Sequence, residues 1–334
     1  MGSPPVVLAI DFGGTKTAIA VCDLAGNPLA SVTAGDGQGA AVAGPGRPRA
    51  PEVFRAGVRA ARELLAATAP GRELAAVGAS TFGIPFEDRV ELAPAIDGWE
   101  DLAFGRELRA AFAGVPVRMA TDAKAAASAE TRWGALRGCD PGVYLNLGTG
   151  LSAALVIGGQ VVSGRDGGAG EIGYNLRAIA DVGLALGERV PLEDVASGQG
   201  LARQARALAG RAAAGPLTAA GVFRAAPHDP ALTGLLDATI TELAYHLVNL
   251  AICLNPVRIA AGGGLVRSWD RLGPPLTAAL AAGTPFPPEL VTARFPYDAP
   301  LRGAAALAAD AAAALPNRLG NPAQPDTLTE GLPQ

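Results

Sequence analysis

Three short stretches of this sequence carry residue types suited to phosphate chemistry. In Asp11-Phe-Gly-Gly-Thr-Lys16 an apolar run closes on a carboxylate and then bends through Gly13, Gly14, Thr15 and Lys16. Glycines leave backbone N–H groups bare at a bend, where they can cradle an anion, and the Lys16 ammonium adds a point charge. Asp11 is placed to hold Mg²⁺, directly or through water. Leu147-Gly148-Thr149-Gly150-Leu151 repeats the theme between two apolar runs, with one hydroxyl at the bend. Asp122, between an apolar run ending at Thr121 and an alanine-rich segment, has the position of a general base that takes a proton from an attacking hydroxyl. Each has a plainer alternative: either bend also makes a ligand-free hairpin, and a carboxylate at a helix start also serves as its cap.

These residues need strands and helices to position them. Alternating apolar residues predict strands over 6–11, 17–23 and 28–34, a meander rather than a dinucleotide fingerprint, because GxGxxG is missing and a strand follows the glycines. A loop over 35–51 leads to an amphipathic helix at 51–69. A strand at 74–81 ends at Gly83-Ile84-Pro85, where α/β domains put ligand loops, and the loop 86–99 could roof a substrate. Helix is predicted at 100–112 and 123–133, with a strand at 116–121 delivering Asp122. Strands at 143–147 and 151–157 flank Gly148 to Gly150, and Gly158-Gly159 turns into a third strand. Helices follow at 201–209, 218–226 and 230–254, then a strand at 256–261 that runs into Gly262-Gly263-Gly264. Three glycines there admit a flat ring or a phosphate, or form a loose turn. A helix from 268, a strand at 290–295 and an alanine-rich helix at 301–315 complete the order, and the polar, proline-rich 317–334 is expected to be disordered.

Composition narrows the partners. The 334 residues are enough for two domains of roughly 150 residues, and the 49% apolar content, rich in alanine, includes no run of the ~18 residues a membrane span needs. No secretory signal is read at the start, and Cys22, Cys139 and Cys253 are too scattered for a disulfide frame, which points to a soluble protein of the cytoplasm. A net charge of -4 offers no face for nucleic acid or anionic lipid, leaving a small molecule as the expected partner. Of 27 basic residues only Lys16 and Lys124 are lysine, one in the phosphate-binding segment and one in the catalytic segment. A compact ammonium and a planar guanidinium are different tools at a crowded phosphate; chance is the alternative.

DFGGTK at 11–16, TDAKAAASAE at 121–130, LNLGTGLSAALVIGGQVVSGRDGGAGEIG at 145–173, LEDVASG at 192–198 and NPVRIAAGGGL at 255–265 stand in the order and at about the spacing of the ROK family of sugar kinases and repressors. The resemblance covers nearly the whole chain to residue 315. It implies an α/β, two-domain actin-like ATPase (ribonuclease H-like) fold, with 1–120 plus 300–316 as the first domain and 121–299 as the second, which carries dimerising helices. It also implies ATP and Mg²⁺ in the cleft, phosphoryl transfer to a sugar hydroxyl, and a homodimer. The family's repressor branch carries a DNA-binding helix-turn-helix ahead of the first strand; here that strand begins near residue 6, which favours the enzyme branch. By position, Asp122 matches the catalytic base, Gly13 to Lys16 and Gly148 to Gly150 the two phosphate loops, and Gly262 to Gly264 the adenosine-side glycines. Glu171 and Glu193 match acidic residues that accept hydrogen bonds from sugar hydroxyls.

The sequence also departs from that pattern at its substrate positions. Thr121 stands where sugar kinases of the family usually have Asn, and Ala95-Ile96-Asp97-Gly98-Trp99 replaces Asn-Leu-Pro-Gly-Trp. Tyr174 replaces the histidine that touches both sugar and zinc, and 175–193 lacks Cys and His, so no zinc is expected. Gly83, Asp97, Thr121, Asp122, Glu171, Tyr174 and Glu193 are the candidate substrate residues. Changed polar readers imply an acceptor other than plain glucose: a C7-cyclitol of valiolone type or an aminohexose such as kanosamine. A glucokinase with a drifted pocket is the first alternative, and a sugar-sensing protein without turnover is the second.

Overall fold

The computed structural model describes residues 3–14, 16–34, 49–209 and 218–314. Thr15, most of the expected 35–51 loop and the 317–334 tail lie outside them.

Two five-stranded sheets share one wiring. In the first, β1 (Val6–Phe12), β2 (Thr17–Cys22) and β3 (Pro28–Ala34) form an antiparallel meander, and β4 (Leu74–Thr81) and β7 (Val117–Thr121) add parallel strands on the other side of β1, giving the order β3-β2-β1-β4-β7. In the second, β8 (Gly142–Leu147), β9 (Leu151–Ile157) and β10 (Gln160–Val161) are the meander, and β11 (Arg258–Gly262) and β12 (Glu289–Thr292) the parallel strands, ordered β10-β9-β8-β11-β12. The bend after β1 and the bend after β8 therefore occupy equivalent places. A two-stranded ribbon, β5 (Ile84–Pro85) and β6 (Val90–Glu91), extends the loop after β4.

Helices cover both sheets. α1 (Ala50–Thr68) buries Phe54, Val58 and Ala61 with Ile10, Phe12 and Ile19, as its 3.6-residue pattern requires, and α2 (Phe104–Ala111) adds Phe104 and Leu108. α3 (Asp122–Trp133) lies on the second sheet through Ala123, Ala126 and Ala127 against Tyr144, Ala154 and Val156. α4 (Glu193–Ala196), α5 (Gly198–Ala209), α6 (Ala219–Ala225), α7 (Pro230–Leu254) and α8 (Trp269–Gly283) build the largest apolar core around β8, β9 and β11.

The last helix, α9 (Ala299–Ala313), returns to the first sheet and packs on β1, β4 and α3. Alanine and glycine make this approach possible: a Cβ at Gly78 would collide with the Ala304 carbonyl, and one at Gly303 with the Ala125 carbonyl. The alanine-rich character of α3 and α9 is thus a packing requirement. Among the described residues no helix is long and apolar enough to cross a membrane.

Three expected boundaries move, each for a local reason. α2 begins at Phe104 rather than 100, because the Glu100 carbonyl accepts the Val90 N–H at 3.2 Å and the Phe104 N–H donates instead to the Leu102 carbonyl at 2.6 Å. β12 stops at Thr292 rather than 295, because after the Ala293 N–H, which still donates to the Ala261 carbonyl at 2.7 Å, those of Arg294 and Phe295 donate to the Glu130 carboxylate at 3.1 and 2.8 Å. α5 begins at Gly198 rather than 201, because the N–H groups of Gly198 and Gln199 donate to the carbonyls of Gly148 and Thr149 at 2.9 and 3.1 Å.

Candidate active site

The parallel register of the first sheet sets Phe12, Thr81 and Thr121 side by side, so the chain after each emerges at one edge: Gly13, Gly83 and Asp122. One step back in the same register, Ser80 is opposite Asp11 and donates its hydroxyl to Asp11 Oδ1 at 2.8 Å. Burial pushes the Asp11 carboxyl up to about 7; the Ser80 hydrogen bond opposes this, the Asp122 charge adds to it, and Lys16 lowers it. The raised value favours folding below the ordinary carboxylate range, and that contribution is lost as pH rises through about 7. Asp11→Asn removes the ionisation. Its unfolding free energy in the ligand-free protein should match wild type near pH 4 and exceed it above pH 7, by on the order of 2 kcal/mol after discounting for partial exposure. Melting curves across that range check this, and a variant less stable at pH 8 than wild type would contradict the assignment.

β7 passes directly into α3, and the helix cap is Thr121: its Oγ1 accepts the Lys124 N–H at 3.3 Å. This corrects the alternative that Asp122 serves as the cap. Asp122 is the first residue inside the helix, half-buried, with Oδ1 accepting the Ala123 N–H at 2.7 Å. Burial holds its carboxyl above the ordinary range, while the Ala123 N–H and Lys124 oppose the shift. Thr121 itself is 3% exposed, its hydroxyl taken by that cap.

The second bend is tied from three sides. The Gly148 N–H donates to the Gly150 carbonyl at 3.1 Å, and the first turn of α5 holds the carbonyls of Gly148 and Thr149. Glu193, which opens α4, accepts the Leu151 N–H on Oε2 at 2.8 Å, and that same oxygen would lie 2.5 Å from a Cβ at Gly150. Gly263, at φ 94°, leaves no room for a Cβ, which would fall 2.5 Å from the Leu147 carbonyl. Gly262 presses on the Tyr144 ring and Gly264 is open. Two of these three glycines therefore serve close packing, which brings the end of β11 against the bend.

Glu171, just before a 3₁₀ turn at Ile172–Tyr174, places Oε1 3.5 Å from Lys124 Nζ. Burial raises the carboxyls of both Glu171 and Glu193, and Asp122 raises each further; Lys124 lowers Glu171, and the Leu151 N–H lowers Glu193. Burial also raises the Tyr174 phenol, with Glu193 and Glu171 adding to it. Asp122, Lys124, Glu171, Tyr174 and Glu193 thus form one electrostatic group, which Asp11 and, through it, Lys16 join by way of Asp122.

Other expected contacts are not gathered there. Asp97 is exposed, and its carbonyl accepts the Ala50 N–H at 3.2 Å. Gly83 packs within its own loop, where a Cβ would lie 2.7 Å from the Glu91 carbonyl. The 86–99 loop is anchored by Trp99, fully buried, which donates from Nε1 to Thr81 Oγ1 at 3.0 Å and stacks on Phe82. Residues 175–192, between Tyr174 and Glu193, are held by an ion pair from Arg177 to Glu242 on α7 and by Arg189, which donates to the carbonyls of Tyr174 and Asn175. Ser80 and the Lys124 to Glu171 pair escaped the sequence; a serine in an otherwise apolar strand was the signal for the first.

A family model described as "ROK family" matches residues 7–311. The bifunctional enzyme NanE/NanK of Brucella suis biovar 1 (strain 1330) is 36% identical over 211 residues, 63% of this chain and 38% of that protein. The chain thus spans about two fifths of the length of that curated relative. The kanosamine kinase of Amycolatopsis mediterranei (strain S699) is 29% identical over 245 residues, 71% of this chain and 78% of that protein. The crystal structure of a ROK family glucokinase from Streptomyces griseus in complex with glucose and AMPPNP superposes with a TM-score of 0.71 at 27% identity, covering 91% of this chain and 99% of that one.

Proposed function

This chain belongs to the ROK family and has its actin-like ATPase fold, and from that premise we propose that it transfers the γ-phosphoryl group of ATP to a hydroxyl of a hexose-like ring. The observation that carries this reading is Asp122. It sits at the sheet edge where the first glycine bend opens, its charge reaches Glu193 beside the second, the capping duty of its position is performed by Thr121, and its carboxyl is held above the ordinary range, as suits a proton acceptor. Gly13 to Lys16 and Gly148 to Gly150 would hold the phosphates through backbone N–H groups. Asp11 is an oxygen donor of the kind Mg²⁺ takes beside phosphates, and that ion, when bound, neutralises charge on the transferring group. Glu171, Glu193 and Tyr174 present acceptors and one phenol to the ring hydroxyls.

The acceptor is a C7-cyclitol of valiolone type or an aminohexose. The absence of Asn at 121 and of His at 174, with Thr121 turned to capping, supports a ring that differs from glucose at one position. The likeness to a kanosamine kinase favours the aminohexose among these. The same reading includes two domains divided at 120/121 and 299/300, a homodimer formed through helices of the second domain, and a cytoplasmic location.

Incubation with Mg-ATP and glucose, N-acetylglucosamine, N-acetylmannosamine, kanosamine or valiolone, with ADP release followed, ranks the acceptors. The expected result is a higher kcat/KM for kanosamine or valiolone than for glucose. Preference for glucose would return the protein to a plain glucokinase, and no turnover with any acceptor would leave sensing as its role.

A further inference from the structure

Lys124 is a costly residue for its place. It lies in the first turn of α3, where the helix dipole disfavours a cation, and its side chain is 5% exposed. An ammonium is strongly hydrated, and burying one is repaid only by excellent geometry. Yet its partner, Glu171 Oε1, is 3.5 Å away, at the outer edge of hydrogen bonding. Every other ion pair among the described residues uses arginine. The backbone on both sides is fixed, since the Lys124 N–H donates to Thr121 Oγ1 and its carbonyl accepts the Ser128 hydroxyl at 3.1 Å. A stability device would not be built this way.

The surroundings indicate what the ammonium serves. Glu171 faces Asp122 from α3 and Glu193 from α4, both of which oppose its ionisation, and Tyr174 from its own turn. Asp194 and Arg203 act on Glu193 from α4 and α5, while Asp11 faces Asp122 from β1. Among the described residues, Lys124 is the one cation acting on Glu171. Its hold on Oε1 leaves Oε2 without a hydrogen-bond donor among the described residues.

We propose that Lys124 is a positioning residue for the acceptor: its buried ammonium takes Oε1 of Glu171 and keeps Oε2 as the oxygen offered to a ring hydroxyl. This rests on the assignment of Glu171 to the acceptor site of a kinase. Lys124 then acts on acceptor binding through Glu171, and leaves the nucleotide side untouched.

A double-mutant cycle tests it with Lys124→Met, Glu171→Gln and the pair, using whichever acceptor the panel ranks first. Lys124→Met should raise the acceptor KM about tenfold, with the ATP KM within about twofold, and should have no further effect on the acceptor KM in the Glu171→Gln background, whereas kcat also changes there because Lys124 acts on Asp122. Equal losses in both backgrounds, or a loss carried by the ATP KM, would overturn the proposal. A second arm needs no substrate: the Glu171 carboxyl carbon, followed by ¹³C NMR in the ligand-free protein, should titrate about one pH unit higher in Lys124→Met. An unmoved midpoint overturns the proposal whatever the panel shows, and a moved midpoint in a protein that phosphorylates nothing sinks the kinase reading alone. Lys124→Gln, which keeps a polar end, replaces Met if the melting curve shows that Lys124→Met does not fold.

Discussion

Asp122→Asn should lower kcat by roughly 10³-fold, about 4 kcal/mol of barrier, while the KM for ATP stays within about twofold. Asn keeps the shape and the contact to the Ala123 N–H but cannot take a proton. The competing explanation for any effect at this position is damage to the start of α3, and the structure separates the two, because the cap is the neighbouring hydroxyl of Thr121. Thr121→Ala should therefore lose about 1 kcal/mol of stability, with a much smaller change in turnover. Asp122→Asn should lose none, since burial already disfavours the charged carboxylate it replaces. The acid limb of kcat/KM in wild type should lie above the ordinary carboxylate range, in keeping with the raised carboxyl. Turnover that survives in Asp122→Asn, or stability that falls there as far as in Thr121→Ala, would mean that the carboxylate is only part of the helix end.

The site was legible from the sequence where the chemistry is carried by backbone. Gly13-Gly14 and Gly148 to Gly150 announce bends, and a bend after the first strand of each meander is a local feature that period-2 patterning locates. Asp122 was legible for the same reason: an apolar run stops, an alanine-rich helix starts, and a carboxylate stands between. Which residue caps the helix was not, because Thr and Asp are both good caps and the choice depends on which oxygen reaches the Lys124 N–H. Ser80 meets Asp11, and Lys124 meets Glu171, only through register and tertiary packing across 69 and 47 residues. The glycines at 262 and 263, which the sequence offers to a flat ring or a phosphate or to a loose turn, also have the Tyr144 ring and the Leu147 carbonyl where a Cβ would stand. Sequence marks where a side chain is missing; it does not mark what fills the gap.

Glu130 shows the same limit in a structural role, and its removal should produce a large loss of stability outside the cleft. The residue is fully buried near the end of α3, and its carboxylate accepts three backbone N–H groups: Ala135 at 2.6 Å, Arg294 at 3.1 Å and Phe295 at 2.8 Å. Gly134 is required beside it, since a Cβ there would collide with Oε2. Glu130 therefore ties the helix that carries Asp122 to the segment that ends β12 and leads into α9. Glu130→Ala leaves three part-buried donors without their acceptor, a loss of about 4 kcal/mol. For a chain of this size that lowers the melting midpoint by about 6 °C. Glu130→Gln keeps one carbonyl oxygen but turns an amide against the N–H groups, so it should fall between Ala and wild type. Urea unfolding of both variants, with the exposed Glu63→Ala as a control expected to change stability by less than about 0.5 kcal/mol, measures the difference. A Glu130→Ala midpoint within 2 °C of the control would show that water or a backbone shift satisfies those donors, and that α3 and α9 are held together by the alanine and glycine contact alone.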